Sequence, residues 1–520
     1  MSFTKRYLTF IALLLLVIFW SSCRKDFEAP PSRGNLEFSV DTLYLDTIFS
    51  NISSSTYSFK VYNRTDEDLT IPSIQLERGE DSDYRLNVDG IPGKSFQNIQ
   101  VFAKDSIFVF VETTTDITQQ TLSPEFLYTD RILFDTGSNQ QDVDLVTLVK
   151  DAVFLFPSRD DMTGEVETLL LGVDEENNEI RIEGFFLEPE ELTFTNEKPY
   201  VIYGYAAVPP DQTLTIEAGA RIHFHDNSGL IVANNATLLV NGALSSDPES
   251  LENEVIFEGD RLEPGFSELP GQWGTIWLTE GSTGHVINHA TIKNATVGVL
   301  MESNDGSANP TLTINNTQIY NSANVGLLAR TGHVSGENLV INNSGQVSLN
   351  CSLGGRYNFS HCTFANYTNG LRQFPSVLID NNLQISETEV LVADLTEANF
   401  TDCIIYGDEP IELILSKVGE TVFNYKFTNC LIRFEDFNGR FDDNPLFDFE
   451  NTSLYENIIF NEDPDFKAPR SNELNIGDNS AANGTGSTPG EGSDILGTSR
   501  NVENPDMGAY ESVIFEGDGN

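Results

Sequence analysis

The sequence predicts an all-β chain, an antiparallel β-sandwich followed by a right-handed parallel β-helix. Two observations carry this. Residues 287–434 repeat themselves at intervals suited to a solenoid, and residues 36–150 read as short alternating strands separated by polar turns. The composition agrees. A hydrophobic content of 39% with 35 Phe and 16 Tyr is enough for sizeable cores.

The repeat shows itself when six segments are laid in register on Ala290, Thr317, Leu339, Cys362, Cys403 and Cys430, which lie 27, 22, 23, 41 and 27 residues apart. Two places further on stand Ile292, Ile319, Ile341, Phe364, Ile405 and Ile432, so the alternation has a period of two and belongs to a strand. Three places before the aligned residue come Ile287, Ile314, Gly336, Phe359, Phe400 and Phe427; a bend must fall in between if both are to face inward. The residues one step before, His289, Asn316, Asn338, His361, Asp402 and Asn429, read as an outward column. Asn294, Asn321, Asn343, Asn366 and Gly407 are residue types that tolerate left-handed backbone, so that column reads as a corner. Strands stacked one coil per repeat make a parallel β-helix, right-handed because parallel crossovers overwhelmingly are.

Taken in order, the chain opens on a targeting segment, 1–23. Lys5 and Arg6 precede an apolar run too short to span a bilayer comfortably, and Ser21-Ser22-Cys23 closes it. This resembles a bacterial lipobox, with Trp20 where an aliphatic residue is usual. The resemblance implies lipidation of Cys23, membrane anchoring without a span, and, from Arg24-Lys25-Asp26-Phe27-Glu28, a place on the outer face of the outer membrane. Residues 24–35 form a tether. Within 36–150 the strand candidates are 36–40, 56–62, 69–76, 95–101, 106–112, 131–135 and 143–149. The wording Val61-Tyr62-Asn63, Leu69-Thr70-Ile71 and Asp105-Ser106-Ile107 resembles Ig-like domains of the ASH and choice-of-anchor D kind, which implies a stalk.

Residues 151–198 are dense in acids and read as a bridging segment that caps the solenoid, which takes up 199–512; a short tail, 513–520, follows. The runs Leu214-Thr215-Ile216-Glu217-Ala218-Gly219 and Gly271-Gln272-Trp273-Gly274 resemble pectin-lyase-like β-helix proteins. The close, Asp506-Met507-Gly508-Ala509-Tyr510-Glu511, resembles the choice-of-anchor Q ending of β-helix surface proteins.

The formal charge of −50 argues against nucleic acid or anionic lipid as a partner. No cofactor motif occurs, and Ca2+ is the one ion that the acids of 151–198 admit, without the ligand spacing of a known loop. Cys362, Cys403 and Cys430 share an inward column with no zinc spacing, and Cys351 stands apart; no disulfide follows from the spacing.

The superfamily resemblance implies carbohydrate chemistry, yet the sequence offers only scattered groups for it. His361 sits one coil before Asp402, with Arg372 in the lengthened interval between them, as an acid–base candidate at about the 4.8 Å coil spacing. His223 and His225 share a strand face beside Asp226, a conceivable metal set. The outward residues Tyr320, Asn342 and Tyr406 suit weak contact with sugar. The reading is therefore a surface-anchored lipoprotein presenting its β-helix to a polysaccharide or a surface protein. The alternatives are a polysaccharide lyase or glycoside hydrolase and a structural envelope component.

Overall fold

The computed structural model describes residues 29–515 apart from 120–122, 124, 175, 249, 369, 371, 387–388 and 488–491. Cys23 and most of the 513–520 tail lie outside the described residues. The chain divides into two compact units, Met1–Lys150 and Asp151–Asn520. Among the described residues every regular element is a strand or a short 3-10 turn.

The first unit is an Ig-like sandwich of two five-stranded sheets. One runs in the order Glu37–Phe38, Tyr57–Tyr62, Ser106–Thr113, Tyr84–Val88, Ile91–Gly93; the other runs Thr42–Phe49, Gln141–Lys150, Glu125–Phe134, Leu69–Leu76, Ser95–Val101. Alternation drives burial, so Ile107, Val109 and Val111 point into the core. Three strands here were not expected from the sequence, the short Ile91–Gly93 among them. In Tyr84–Val88 the alternate residues Tyr84, Leu86 and Val88 are buried. Thr42–Phe49 pairs parallel with Gln141–Lys150, with an irregularity in register beside Asp46, whose φ is 52°.

The second unit is a right-handed parallel β-helix with three faces. Face A stacks Tyr200–Ile202, Arg221–Phe224, Val255–Gly259, Ala290–Lys293, residues 317–320 and 339–342, Thr363–Asn366, Ile404–Gly407 and Leu431–Ile432. Face B runs from Tyr205–Val208 to Leu413–Ser416, and face C from Thr213–Glu217 to Tyr455–Glu456. The segment 151–198, expected as a bridge and cap, belongs to the ladder itself. Val153–Leu155 pairs with face A, residues 184–186 with face B and Thr193–Phe194 with face C. A hairpin of Thr168–Val173 and Glu179–Phe186 projects from this first coil.

Inside, the aligned residues ladder as expected. Cys362, Cys403 and Cys430 are buried free thiols, as is Cys351 on face B. Phe359, Phe400 and Phe427 stack in the next column, with ring centroids 5.3 and 4.9 Å apart. Each such side chain contributes about 1.5–3 kcal/mol by leaving water.

The column taken as outward is in fact the bend. His289, Asn316, Asn338, His361, Asp402, Asn429 and Asn457 all have φ between 46° and 54°. They turn the chain from face C to face A, so that a residue on either side can face inward. At the other end of face A, Asn294, Asn321 and Asn343 are left-handed as expected, with φ of 67°, 54° and 52°. Asn366 and Gly407 are not.

After Ile459–Phe460 the chain stops coiling and returns along the outside of face A. Leu474, Ile495, Ala509 and Tyr510 pack on Val340 and Ala365; Ile476, Ala482 and Met507 pack on Ile404 and Leu431. The D-x-G-A-x-E close is the clasp of this strap. The Asp506 carboxylate accepts the Gly484 and Ser512 amides. The Gly508 amide donates to the Asp402 carbonyl at 2.8 Å, and Gly508 holds a φ of 88°, where a side chain would be strained and its Cβ would crowd Ile404 at 2.7 Å. Glu511 pairs at 3.0 Å with the buried Arg500, which also donates to Asn338 Oδ1 at 2.8 Å and to the Gly508 carbonyl at 3.0 Å. Arg500→Ala strands the Glu511 carboxylate and empties a buried site. It is expected to cost about 3–5 kcal/mol and to open 461–515 to limited proteolysis before the coils unfold. An unchanged melting temperature and cleavage pattern would show that the strap is held without this clasp.

Candidate functional site

His361 and Asp402 do meet. The inserted residues between their coils fold out as a hairpin of Asn382–Gln384 and Val390–Val392, leaving the two coils adjacent. His361 Nε2 lies 3.5 Å from Asp402 Oδ2. Both are buried under the strap: Asp402 takes the Ser487 amide at 2.6 Å and the Ser487 hydroxyl as well. Burial, reinforced by the Arg500 guanidinium, pushes the imidazole down to about 4, so it is neutral at physiological pH. Basicity and access are both poor for substrate chemistry. The residue types have a backbone explanation instead, because Asn, Asp and His are the side chains enriched at left-handed positions. Their neighbours make the point. Asn338 Nδ2 donates to Asn316 Oδ1 at 2.9 Å, and Asn457 Nδ2 to Asn429 Oδ1 at 3.0 Å, each across one coil.

Arg372 is not part of that pair. It is anchored at the opposite end of Thr363–Asn366, a four-residue strand about 13 Å long, through a 3.1 Å bond to the Asn366 carbonyl. Its guanidinium grips the buried Glu412 through two bonds of 2.7 and 2.6 Å and reaches Asp408 at 3.0 Å. Glu412 in turn accepts Ser376 N and Oγ and Glu409 N. This is a brace for the lengthened turn, whose Glu412 oxygens are all engaged.

The residues expected to touch sugar are the seat of the strap. Asn342 is wholly buried and donates to the Pro469 carbonyl at 2.7 Å and to Asn472 Oδ1 at 3.1 Å. Tyr320 packs with the strap's Tyr510, and the Gln318 amide oxygen accepts both hydroxyls. Tyr406 packs against the cluster built with Ile476, Ala482 and Met507. The signal for this lay in the other outward column of face A, Thr291–Gln318–Val340–Thr363–Ile404–Leu431. Its drift toward apolar residues marks a surface that something covers.

His223, His225 and Asp226 do not converge. His223 is buried, 3.6 Å from Glu258, whose other oxygen holds Lys293 at 2.9 Å. These three sit on consecutive coils at one register position, a cluster that an alignment beginning at Ile287 could not reveal. His225 is half exposed. Its Nδ1 lies 2.7 Å from the buried Asp260 carboxylate, which raises its basicity, and its ring stacks on Tyr203 at 4.5 Å. Among the described residues no three His, Cys, Asp or Glu side chains are placed to hold a metal. The acids of 151–198 serve their own turns; Asp160, for example, accepts the Met162 and Thr163 amides at 2.8 and 2.7 Å.

No protein-family model matches the chain, and no curated protein does. Among solved structures, the catalytic unit of a GH87 alpha-1,3-glucanase from Streptomyces thermodiastaticus is 11% identical over 72% of this chain and 79% of its own, with a TM-score of 0.22. A human ASH/PapD-like domain is 10% identical over 24% of this chain and 91% of its own, TM-score 0.15. A family 123 glycoside hydrolase from Clostridium perfringens is 8% identical over 22% of this chain, which spans only 26% of that enzyme, TM-score 0.16. At these identities the likeness does not extend to chemistry.

The buried imidazole gives a pH test with a defined sign. The folded value of about 4 lies below the ordinary 6.5, so folding favours the neutral ring. That contribution is whole above about pH 6.5 and is lost as the pH falls toward 4, on the order of 2–3 kcal/mol. His361→Asn keeps a residue suited to left-handed backbone and removes the titration. Its stability is expected to fall less steeply than the parent's between pH 6.5 and 4 in denaturant titrations; parallel curves would refute the assignment.

Proposed function

We propose that this chain is a lipid-anchored surface protein whose β-helix binds rather than turns over its partner. The lipobox-like Ser21-Ser22-Cys23 supports anchoring at Cys23, at the outer face of an outer membrane. The Ig-like sandwich then serves as the stalk, and the choice-of-anchor Q-like close as the strap described above. One observation carries the non-catalytic reading: the chain's own strap occupies the lateral face and buries the His361–Asp402 pair. An imidazole held neutral by burial, beside a buried carboxylate that Ser487 already occupies, has structural work only.

A carbohydrate-active enzyme is the second reading, favoured by one specific feature. The His225 imidazole is open to solvent with the Asp260 carboxylate behind it, an arrangement able to carry a proton.

The two separate in one experiment on the full-length protein. Neutral and acidic polysaccharides are incubated with it, and unsaturated product absorbance and reducing ends are followed. No turnover is expected, with or without His361→Asn. Turnover that disappears in His225→Ala establishes the enzyme reading and removes the first. Cys23→Ala is expected to move the protein from the membrane fraction to the soluble one, and equal retention in the membrane would end the anchor claim.

A further inference from the structure

Beside the projecting hairpin lies a cleft of about 550 Å3, within the roughly 300–1,000 Å3 range of small-ligand sites. One wall is the hairpin strand, through Arg181 and Glu183; the other is formed by the turns from face A to face B in three successive coils, through Asp226, Asn227, Gly274 and Thr296. The floor is Tyr205. Its ring lies across the next two coils, where a Cβ on Gly229 would come within 2.6 Å of the ring and one on Gly274 within 2.0 Å of the hydroxyl. Two glycines thus make the bed for a buried ring and leave its hydroxyl at the cleft, with no protein partner among the described residues. Burial raises the Tyr205 hydroxyl, so it stays protonated and can both donate and accept.

The polar rim is equally underused. Asp226 accepts one bond, from Asn227 Nδ2 at 3.0 Å, and neither it nor Glu183 forms an ion pair among the described residues. Arg181 engages Glu179 and Thr168 through Nε and Nη1 and keeps Nη2. An anion would meet two carboxylates and one guanidinium that is already paired. A metal finds no convergent triad. An apolar ligand would strip water from the rim without replacing its hydrogen bonds. A polyhydroxylated ligand satisfies the rim with its own donors and acceptors and lays its C–H face on Ile182 and Val297.

We infer that this cleft binds a neutral saccharide, an assignment that rests on the binding reading above. The test is titration calorimetry of the full-length protein in detergent with glucan, mannan and xylan tetrasaccharides, and tetragalacturonate as the acidic comparator. At least one neutral tetrasaccharide is expected to bind. Tyr205→Phe and Asp226→Asn should each weaken it tenfold or more, with the melting temperature unchanged, and Glu183→Gln on the exposed strand should weaken it less. Neutral binding that ignores all three substitutions overturns the cleft while leaving the binding reading intact. Preference for tetragalacturonate overturns the ligand class. Silence across the panel, with turnover of polysaccharide in the assay above, overturns both.

Discussion

From His289 on, each coil of the helix depends on one residue held at positive φ between face C and face A. Without that bend, Phe400 and Cys403 could not both face the interior, and the two ladders of the core would not coexist. The constraint falls on the backbone and is met by side chains that help a left-handed conformation, which is why the column reads His, Asn, Asn, His, Asp, Asn, Asn and not glycine throughout. A polar side chain at the bend brings a second benefit, since it can bond to its counterpart one coil away. Asn338 bonds to Asn316 and Asn457 to Asn429 in this way, and so they stitch the corner that they create. His361 and Asp402 occupy this column for the same reason, and their apparent catalytic chemistry is a by-product of turn chemistry.

The strap follows from the ladder as well. An outward column that stays polar can be satisfied within itself, as His223, Glu258 and Lys293 are by pairing with one another. From Val340 on, the outward residues include Ile404 and Leu431, which need cover, and residues 461–515 supply it. The covering segment has little regular structure of its own, so its backbone must be satisfied by side chains, and Asp402, Asp494, Asp506 and Arg500 do this. Face A is thus two surfaces in sequence along the axis, a charged one that pairs within itself and an apolar one closed by the strap.

Much of this was legible from the chain. The period-two alternation and the repeat spacing gave the inward columns residue by residue, because burial imposes a strict rule on every coil. The requirement for a bend between Ile287 and Ala290 was legible too, though the bend itself was assigned to the wrong side of it as an outward column. Where the strap lies was not legible. Asn342 donating to Pro469 is a contact across 127 residues that no periodicity encodes. The first coil was missed for a related reason: its three strands are separated by a hairpin, so residues 151–198 carry no repeat signal of their own. Tyr205 and its glycines were hidden likewise, since Gly229 and Gly274 meet only when two coils of unequal length are stacked.

Charge ties these features together. With 29 basic residues against 79 acidic ones, carboxylates are plentiful, and the buried guanidiniums of Arg372 and Arg500 each pair with one. Arg372 and Arg500 are placed where a non-repeating segment joins the repeat, the lengthened coil and the strap. Both fix a junction that the ladder cannot fix by hydrogen-bond register, since neither segment continues a strand. The surface left over is acidic. An acidic surface repels polyanions at long range, which favours neutral or basic partners over anionic ones and leaves selectivity to local hydrogen bonding and shape.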